Sequence, residues 1–140
     1  MRSILSFILA SLVVAFLSPM AIEMKFTTVP IGIFVWSLII VLFLVPFTAF
    51  PIYKFITKNC GYSLNTVLKS AVASTCLVSL FFVFPFGLER SVVNGNVLVE
   101  NGTITLIGYG YSFLQWLLFS IVGFIAGLVF YISKIEFRKS

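Results

Sequence analysis

The sequence predicts an all-α polytopic membrane protein: a four-helix transmembrane bundle with a small extracytoplasmic β-hairpin between helices 3 and 4. Hydrophobic residues make up 61% of the 140 residues and charged residues only 9%, whereas a soluble domain is about 25% charged. The mean hydropathy is +1.18. Four apolar stretches of the length needed to cross a bilayer contain no charged residue in their interiors. The whole chain, residues 1–140, is therefore expected to form one integral membrane domain.

The first predicted span covers about residues 4–21 and the second about 31–51. The first has an alternative interpretation as a cleaved signal peptide, since Arg2 precedes an apolar run that ends in small residues. Cleavage after Ala21 would place Pro19 where a small residue is preferred, which favours retention as a span. The second span is bounded by Pro30 and Pro51.

The third predicted span covers about residues 69–88 and the fourth about 110–132. In the connection before the third span, Gly61 suits a helix C-terminal cap and Ser63 suits an N-cap. The fourth span is closed by Lys134. Short connections predict an up-down arrangement of the helices.

The hairpin is predicted over about residues 96–107. Two β-prone runs flank Asn101-Gly102, and an Asn-Gly pair in that setting is a strong hairpin signal. A two-residue turn would pair Glu100 with Thr103, and Val97 with Leu106. An isolated hairpin is marginally stable in water, so we expect it to lie against the membrane surface or the helix ends.

The distribution of charge predicts the orientation. With a cytoplasmic N-terminus, seven of the nine basic residues fall on the inner side and two on the outer side, while three of the four Glu residues lie outside. The inner basic residues are Arg2, Lys54, Lys58, Lys69, Lys134, Arg138 and Lys139. This bias predicts that both termini are cytoplasmic. A bacterial inner membrane is the expected location, and no run of basic residues predicts binding to nucleic acid.

Two groups of small residues are candidates for close helix packing. Gly123 and Gly127 form a GxxxG motif in the fourth span, and Ser70 and Ser74 lie four residues apart in the third. Such residues allow helix backbones to approach closely in lipid. The expected role is a seam within the chain. The alternatives are a contact with a second copy or a partner for the glycines, and a pore lining for the serines.

The residues needed for catalysis are scarce. The sequence has no His and no Asp, and no charged residue lies in the interior of a predicted span, where ion-coupled transporters place one. We therefore expect a non-enzymatic protein with no catalytic residues, no metal site and no cofactor. The distance expected between Cys60 and Cys76 along a helix predicts two free thiols.

Three functional hypotheses remain. The first is a membrane protein that acts through protein contacts in or at the bilayer, as an accessory subunit or an immunity-type protein, with a membrane or extracytoplasmic protein or a second copy as partner. In size and layout the chain is similar to small four-span bacterial immunity proteins, which implies such a role. The second is an oligomeric channel or carrier for a neutral or apolar solute. The third is a holin-like protein that makes membrane lesions.

Overall fold

A computed structural model describes residues 2–23, 31–84, 87–93 and 95–139. This part of the chain is mostly helical, with one small antiparallel sheet. Its elements are α1 (Arg2–Glu23), α2 (Ile31–Phe47), α3 (Ala49–Cys60), α4 (Leu64–Val83), β1 (Ser91–Val93), β2 (Asn96–Glu100), β3 (Thr103–Ile104) and α5 (Leu106–Lys139). Most of the predicted first outer loop, including Lys25, and residues 85–86 near the end of the predicted third span lie outside the described residues.

Among the described residues, two helices are long and apolar enough to cross a membrane. The qualifying segments are Ile4–Ala21 in α1 and Leu106–Ile135 in α5. By their length and composition, these segments indicate a membrane protein. The four-helix transmembrane bundle is not confirmed, because the remaining described helices are either shorter or broken.

The second predicted span, about 31–51, is not one continuous helix. Segment Ile31–Leu44 and helix α3 meet at an angle of 46°, and α2 ends at Phe47. Pro46 and Pro51 each lack a backbone N–H, so two helical hydrogen bonds are missing around the break. The Thr48 hydroxyl also donates to the carbonyl of Leu44 at 2.8 Å. If α2 and α3 together form one bent span, the number of candidate spans rises to three.

The third predicted span, about 69–88, begins earlier than expected. Helix α4 starts at Leu64 because the Ser63 side chain accepts a hydrogen bond from the backbone N–H of Thr66, at 3.2 Å. At the C-terminal end of α3, Gly61 donates its N–H to the carbonyl of Thr57. The apolar stretch of α4 covers Leu64–Leu80 and is shorter than a full candidate span. The predicted N-cap at Ser63 is confirmed, and the helix extends five residues before the predicted span, because the start of a helix follows its cap rather than its hydropathy.

The predicted hairpin is part of a three-stranded sheet. The helix that contains the fourth predicted span, about 110–132, is longer than that span. The strand order is β1-β2-β3, with Glu100 opposite Thr103 as expected. The pairing of Val97 with Leu106 does not form, because β3 ends at Ile104 and α5 begins at Leu106. On its other edge, Val97 pairs with Val92 in β1. The sheet packs on α5 through β2.

The helices are arranged as a ring. Helix α5 packs against α4 and α1, α1 packs against α2, and α3 joins α2 to α4. The buried apolar core lies between α1, α4 and α5 and includes Ala21, Val83, Phe119 and Val122. Along α5, Lys134 follows Leu106 by 28 residues, which is about 42 Å of helix. We call these two ends of the ring the sheet end and the Lys134 end.

Candidate functional site

The GxxxG motif lies in the tightest part of the contact between α4 and α5, which we call the seam. A Cβ atom added at Gly123 would collide with the Thr75 side chain, and one added at Gly127 would lie 2.9 Å from the Cβ of Ala71. Both glycines are buried. The structure therefore brings Gly123 and Gly127 against α4, although their role as packing residues stays a prediction.

Polar contacts also join α4 to α5, and the sequence did not reveal them. The Trp116 indole N–H donates to the carbonyl of Cys76 at 3.1 Å. The Cys76 thiol lies 3.0 Å from the Ser120 hydroxyl. Near the sheet end, the Ser112 hydroxyl donates to the carbonyl of Val83 at 3.1 Å. These bonds fix the rotation of α5 against α4 in surroundings where polar groups need partners.

Inside the ring lies an apolar cavity of about 380 Å³. This volume falls in the range of small-molecule sites, roughly 300–1,000 Å³. All five helices contribute to its lining. The lining includes Val14, Val41, Leu44, Val67, Val78, Phe119 and Ala126. The cavity therefore follows much of the length of the helices rather than forming a pocket at one end.

Serine residues of α1 and α4 line the cavity, but their hydroxyl groups are used within their own helices. Ser70 donates to the carbonyl of Val67 at 2.8 Å, and Ser74 donates to the carbonyl of Ser70 at 2.6 Å. Ser11 and Ser18 of α1 do the same with carbonyls four residues earlier. Because their protons are already donated, these hydroxyls offer a ligand only acceptor lone pairs. Ser70 and Ser74 therefore form part of a cavity wall, beside the α4 residues that contact the glycines directly.

The cavity reaches the surface of the protein along α2. Three of its lining residues on this helix are substantially exposed: Trp36 at 69%, Ile40 at 45% and Ile33 at 43%. The wall of the cavity on the α2 side is therefore formed by side chains that are also exposed at the surface of the protein.

Four rings, the aromatic cluster, lie at the Lys134 end of the cavity: Phe7, Phe50, Tyr53 and Phe130. The ring centroids of Phe7 and Phe130 are 4.6 Å apart, and those of Tyr53 and Phe130 are 5.3 Å apart. Phe7, Tyr53 and Phe130 also line the cavity. The cluster joins α1, α3 and α5, and tilted or edge-on ring pairs of this kind are favourable.

Lys134 is held directly behind the aromatic cluster. Its ammonium donates a hydrogen bond to the Tyr53 hydroxyl at 2.8 Å. The same nitrogen lies 4.2 Å from the ring centroid of Tyr62 and 5.3 Å from that of Tyr53. Cation–π attraction of this kind holds a cation close to apolar surroundings. The sequence predicts Lys134 as a charge on the inner side at the end of the last span, but not its contact with Tyr53.

The turn between β2 and β3 has the backbone that its sequence predicts. Asn101 has φ 51° and Gly102 has φ 75°, and a two-residue hairpin turn needs positive values at both positions. The N–H of Gly102 donates to the carbonyl of Glu89 at 3.0 Å. The turn is therefore tied to the segment that enters β1. Whether Asn101 and Gly102 contact a partner stays untested.

Thr105 connects the sheet to α5, which sequence reasoning missed. Its hydroxyl accepts a hydrogen bond from the N–H of Gly108 at 3.0 Å, as an N-cap does, and donates to the carbonyl of Val97 at 2.7 Å. The signal was the position of a threonine three residues before a glycine at the start of an apolar run.

No protein-family model, curated protein or solved structure matches this chain.

Proposed function

We propose that the protein is a non-enzymatic membrane protein that binds a hydrocarbon chain in the apolar cavity. One observation carries the proposal: a cavity with apolar walls follows the helices, and exposed residues of α2 form one of these walls. A lipid acyl chain has the matching shape and polarity, and it is the most abundant ligand in a bilayer. The serine hydroxyls that α1 and α4 contribute to the walls fit this choice, since their protons are engaged within their own helices.

A membrane orientation is part of the proposal. The described lysines Lys54, Lys58, Lys69 and Lys134 lie on the segments at one end of the ring, while Glu89, Glu100 and a single basic residue, Arg90, adjoin the sheet at the other. Because basic residues favour the cytoplasmic side, we place the Lys134 end and both termini in the cytoplasm. The chain is then multi-pass, with the sheet on the outer surface of a bacterial inner membrane.

Binding a chain from the bilayer differs from binding one from water. Lipid tails are as apolar as leucine side chains, so entry into the cavity gains little from the hydrophobic effect. Shape complementarity decides whether the cavity retains a chain, because close contacts are lost wherever a void remains. Larger side chains in the lining should therefore displace the ligand in proportion to the space that they occupy.

Filling the cavity from α2 tests the proposal. The double variant Ser37→Phe/Val41→Phe places two rings in the cavity, because both residues line it. Native mass spectrometry of the protein with dioleoylphosphatidylcholine should show one lipid retained by the wild type and most of it lost by this variant.

The matched control is Ile39→Phe/Leu42→Phe. These residues lie on the same helix, are 53% and 43% exposed, and do not line the cavity. The control should keep its lipid. Equal retention by both double variants would contradict the proposed function, since a bound lipid would then lie on the outer surface.

A second candidate function is binding of another membrane protein or a second copy through α2. Phe43 and Phe47 are 69% and 70% exposed, and their ring centroids are 5.4 Å apart. Such an aromatic pair suits a helix contact within the bilayer. This candidate corresponds to an accessory or immunity-type role.

The size of the complex in native membranes tests the second candidate. Phe43→Ala/Phe47→Ala should reduce the mass of the extracted complex to that of the single chain. The control Phe113→Ala/Phe124→Ala removes two exposed rings from α5 and should leave the mass unchanged. A single-chain mass for the wild type would rule this candidate out.

A further inference from the structure

We propose that the bound amphiphile is an anionic lipid, whose acyl chain occupies the cavity and whose headgroup phosphate binds Lys134. This inference rests on the proposed function and assigns the class of lipid. Its basis is the position of one cation at the end of an apolar cavity. The residues that support this inference are the aromatic cluster, Tyr62 and the lysines of α3 and α4.

One side chain, that of Tyr53, separates the Lys134 ammonium from the cavity. Tyr53 lines the cavity with its ring, and its hydroxyl accepts a hydrogen bond from the Lys134 ammonium at 2.8 Å. Phe130 also lines the cavity and lies one turn before Lys134 on α5. An amphiphile whose chain lies against these rings therefore brings its polar end to the ammonium.

The Lys134 ammonium is positioned but keeps hydrogen-bonding capacity. An ammonium has three N–H donors, and Tyr53 takes one of them. The ring of Tyr62 holds the nitrogen by cation–π attraction, and Tyr62 is itself stacked on Tyr131 with ring centroids 5.7 Å apart. The remaining donors suit a phosphate oxygen, which accepts strong charge-assisted hydrogen bonds.

Three further lysines lie at the Lys134 end of the ring. Lys54 and Lys58 lie on α3, Lys69 lies on α4, and all three side chains are exposed. Glu136 follows Lys134 by two residues on α5, whereas Glu89 and Glu100 adjoin the sheet, close to the start of α5. Basic pockets between helices on the cytoplasmic side of a membrane attract anionic headgroups. A zwitterionic headgroup gains less here, because its own cation is repelled.

The acyl chain of the lipid is needed for binding as well as its phosphate. A free phosphate and a lipid headgroup offer the same oxygen atoms to Lys134, but only the lipid fills the cavity next to it. The two sources are therefore distinguished by competition. Inorganic phosphate should not displace the lipid at concentrations far above that of the lipid.

The test compares two lipids with identical chains on the full-length protein. In native mass spectrometry, dioleoylphosphatidylglycerol should bind more tightly to the wild type than dioleoylphosphatidylcholine does. Lys134→Gln should reduce this preference about tenfold, the effect of losing one charge-assisted hydrogen bond. Phosphatidylcholine binding should remain, because the cavity is unchanged.

The matched control is Lys58→Gln, which removes the same charge at the same end of the ring. It should change the preference less than twofold, about the effect of a screened surface charge. Lys134→Arg should keep the preference. Tyr53→Phe retains the ring, removes the hydroxyl that positions the ammonium, and should weaken the preference, so the test does not depend on one variant.

Three results would overturn the inference. They are equal binding of the two lipids by the wild type, equal effects of Lys134→Gln and Lys58→Gln, and displacement of the lipid by inorganic phosphate. In the first case, loss of phosphatidylcholine in the Ser37→Phe/Val41→Phe variant would leave the proposed function intact. If neither lipid binds the wild type, the proposed function fails together with this inference.

Discussion

Replacing Gly123 by alanine is expected to destabilise the protein, whereas the same replacement at Gly110 in the same helix is expected to stabilise it. An added Cβ at Gly123 collides with the Thr75 side chain, while the space around Gly110 is open. Overpacking costs about 1–3 kcal/mol, which exceeds the gain of about 1 kcal/mol in helix propensity. The midpoint of thermal unfolding in detergent should therefore fall for Gly123→Ala and rise for Gly110→Ala.

A second substitution in the seam shows whether the collision causes the loss of stability in Gly123→Ala. Thr75→Ala removes the hydroxyl that meets the new methyl group, so the double variant Gly123→Ala/Thr75→Ala should recover part of the lost stability. Two neighbouring residues in contact should give a clear coupling energy in such a cycle. Equal midpoints for Gly123→Ala and Gly110→Ala would show that the seam is not tightly packed.

Replacing Gly108 by alanine is expected to detach the sheet from α5 while leaving the helices assembled. The added Cβ collides with the backbone carbonyl of Leu98 in β2 and lies 2.9 Å from a methyl carbon of Ile104. A backbone atom cannot rotate away as a side chain does. The carbonyl of Leu98 also accepts the N–H of Thr105 at 2.9 Å, so the bonds that hold β2 to the start of α5 should weaken.

Hydrogen exchange measures this effect segment by segment. In Gly108→Ala the amides of β2 and β3 should exchange faster, and those of α4 and the second half of α5 should keep their protection. Gly110→Ala, two residues further along, is the control and should leave the exchange of β2 unchanged. Uniform loss of protection across the chain would mean that the sheet and the helices unfold together.

Local chemistry explains what the sequence predicted well. The Asn101-Gly102 turn and the Ser63 cap depend on residues within three positions of each other, so their structure follows from a short stretch of chain. The apolar segments were found because their composition is uniform over many residues. By contrast, β1 has only three residues, and its pairing with β2 contains an irregularity between Ser91 and Val92, which gives no regular pattern to detect.

The break at Thr48 shows where hydropathy alone fails. The run from Ile31 to Phe50 is apolar throughout, so it predicts one span ending near Pro51. The helix ends earlier because hydrogen bonding, not hydropathy, determines where the backbone bends. Pro46 lies within this span, but a proline near a helix end is compatible with either a bend or a complete break.

The cavity itself could not be predicted from the sequence. Ser70 and Ser74 were recognised as small residues, yet whether they face a neighbouring helix or an open space depends on the placement of five helices. Tyr53 and Lys134 are 81 residues apart in the chain. Their contact, and the position of both at the end of the cavity, arise only when α3 and α5 are brought together in the fold.

The central claim is that a lipid chain lies inside the ring of helices, and photo-crosslinking tests it most directly. Membranes that contain the protein would be loaded with a phospholipid bearing a diazirine midway along one acyl chain, irradiated, and mapped by peptide mass spectrometry. We predict crosslinks at cavity residues such as Ser37, Val41 and Val78. Crosslinks confined to the outward residues Ile39 and Leu42, with none at Ser37 or Val41 on the same helix, would contradict the account.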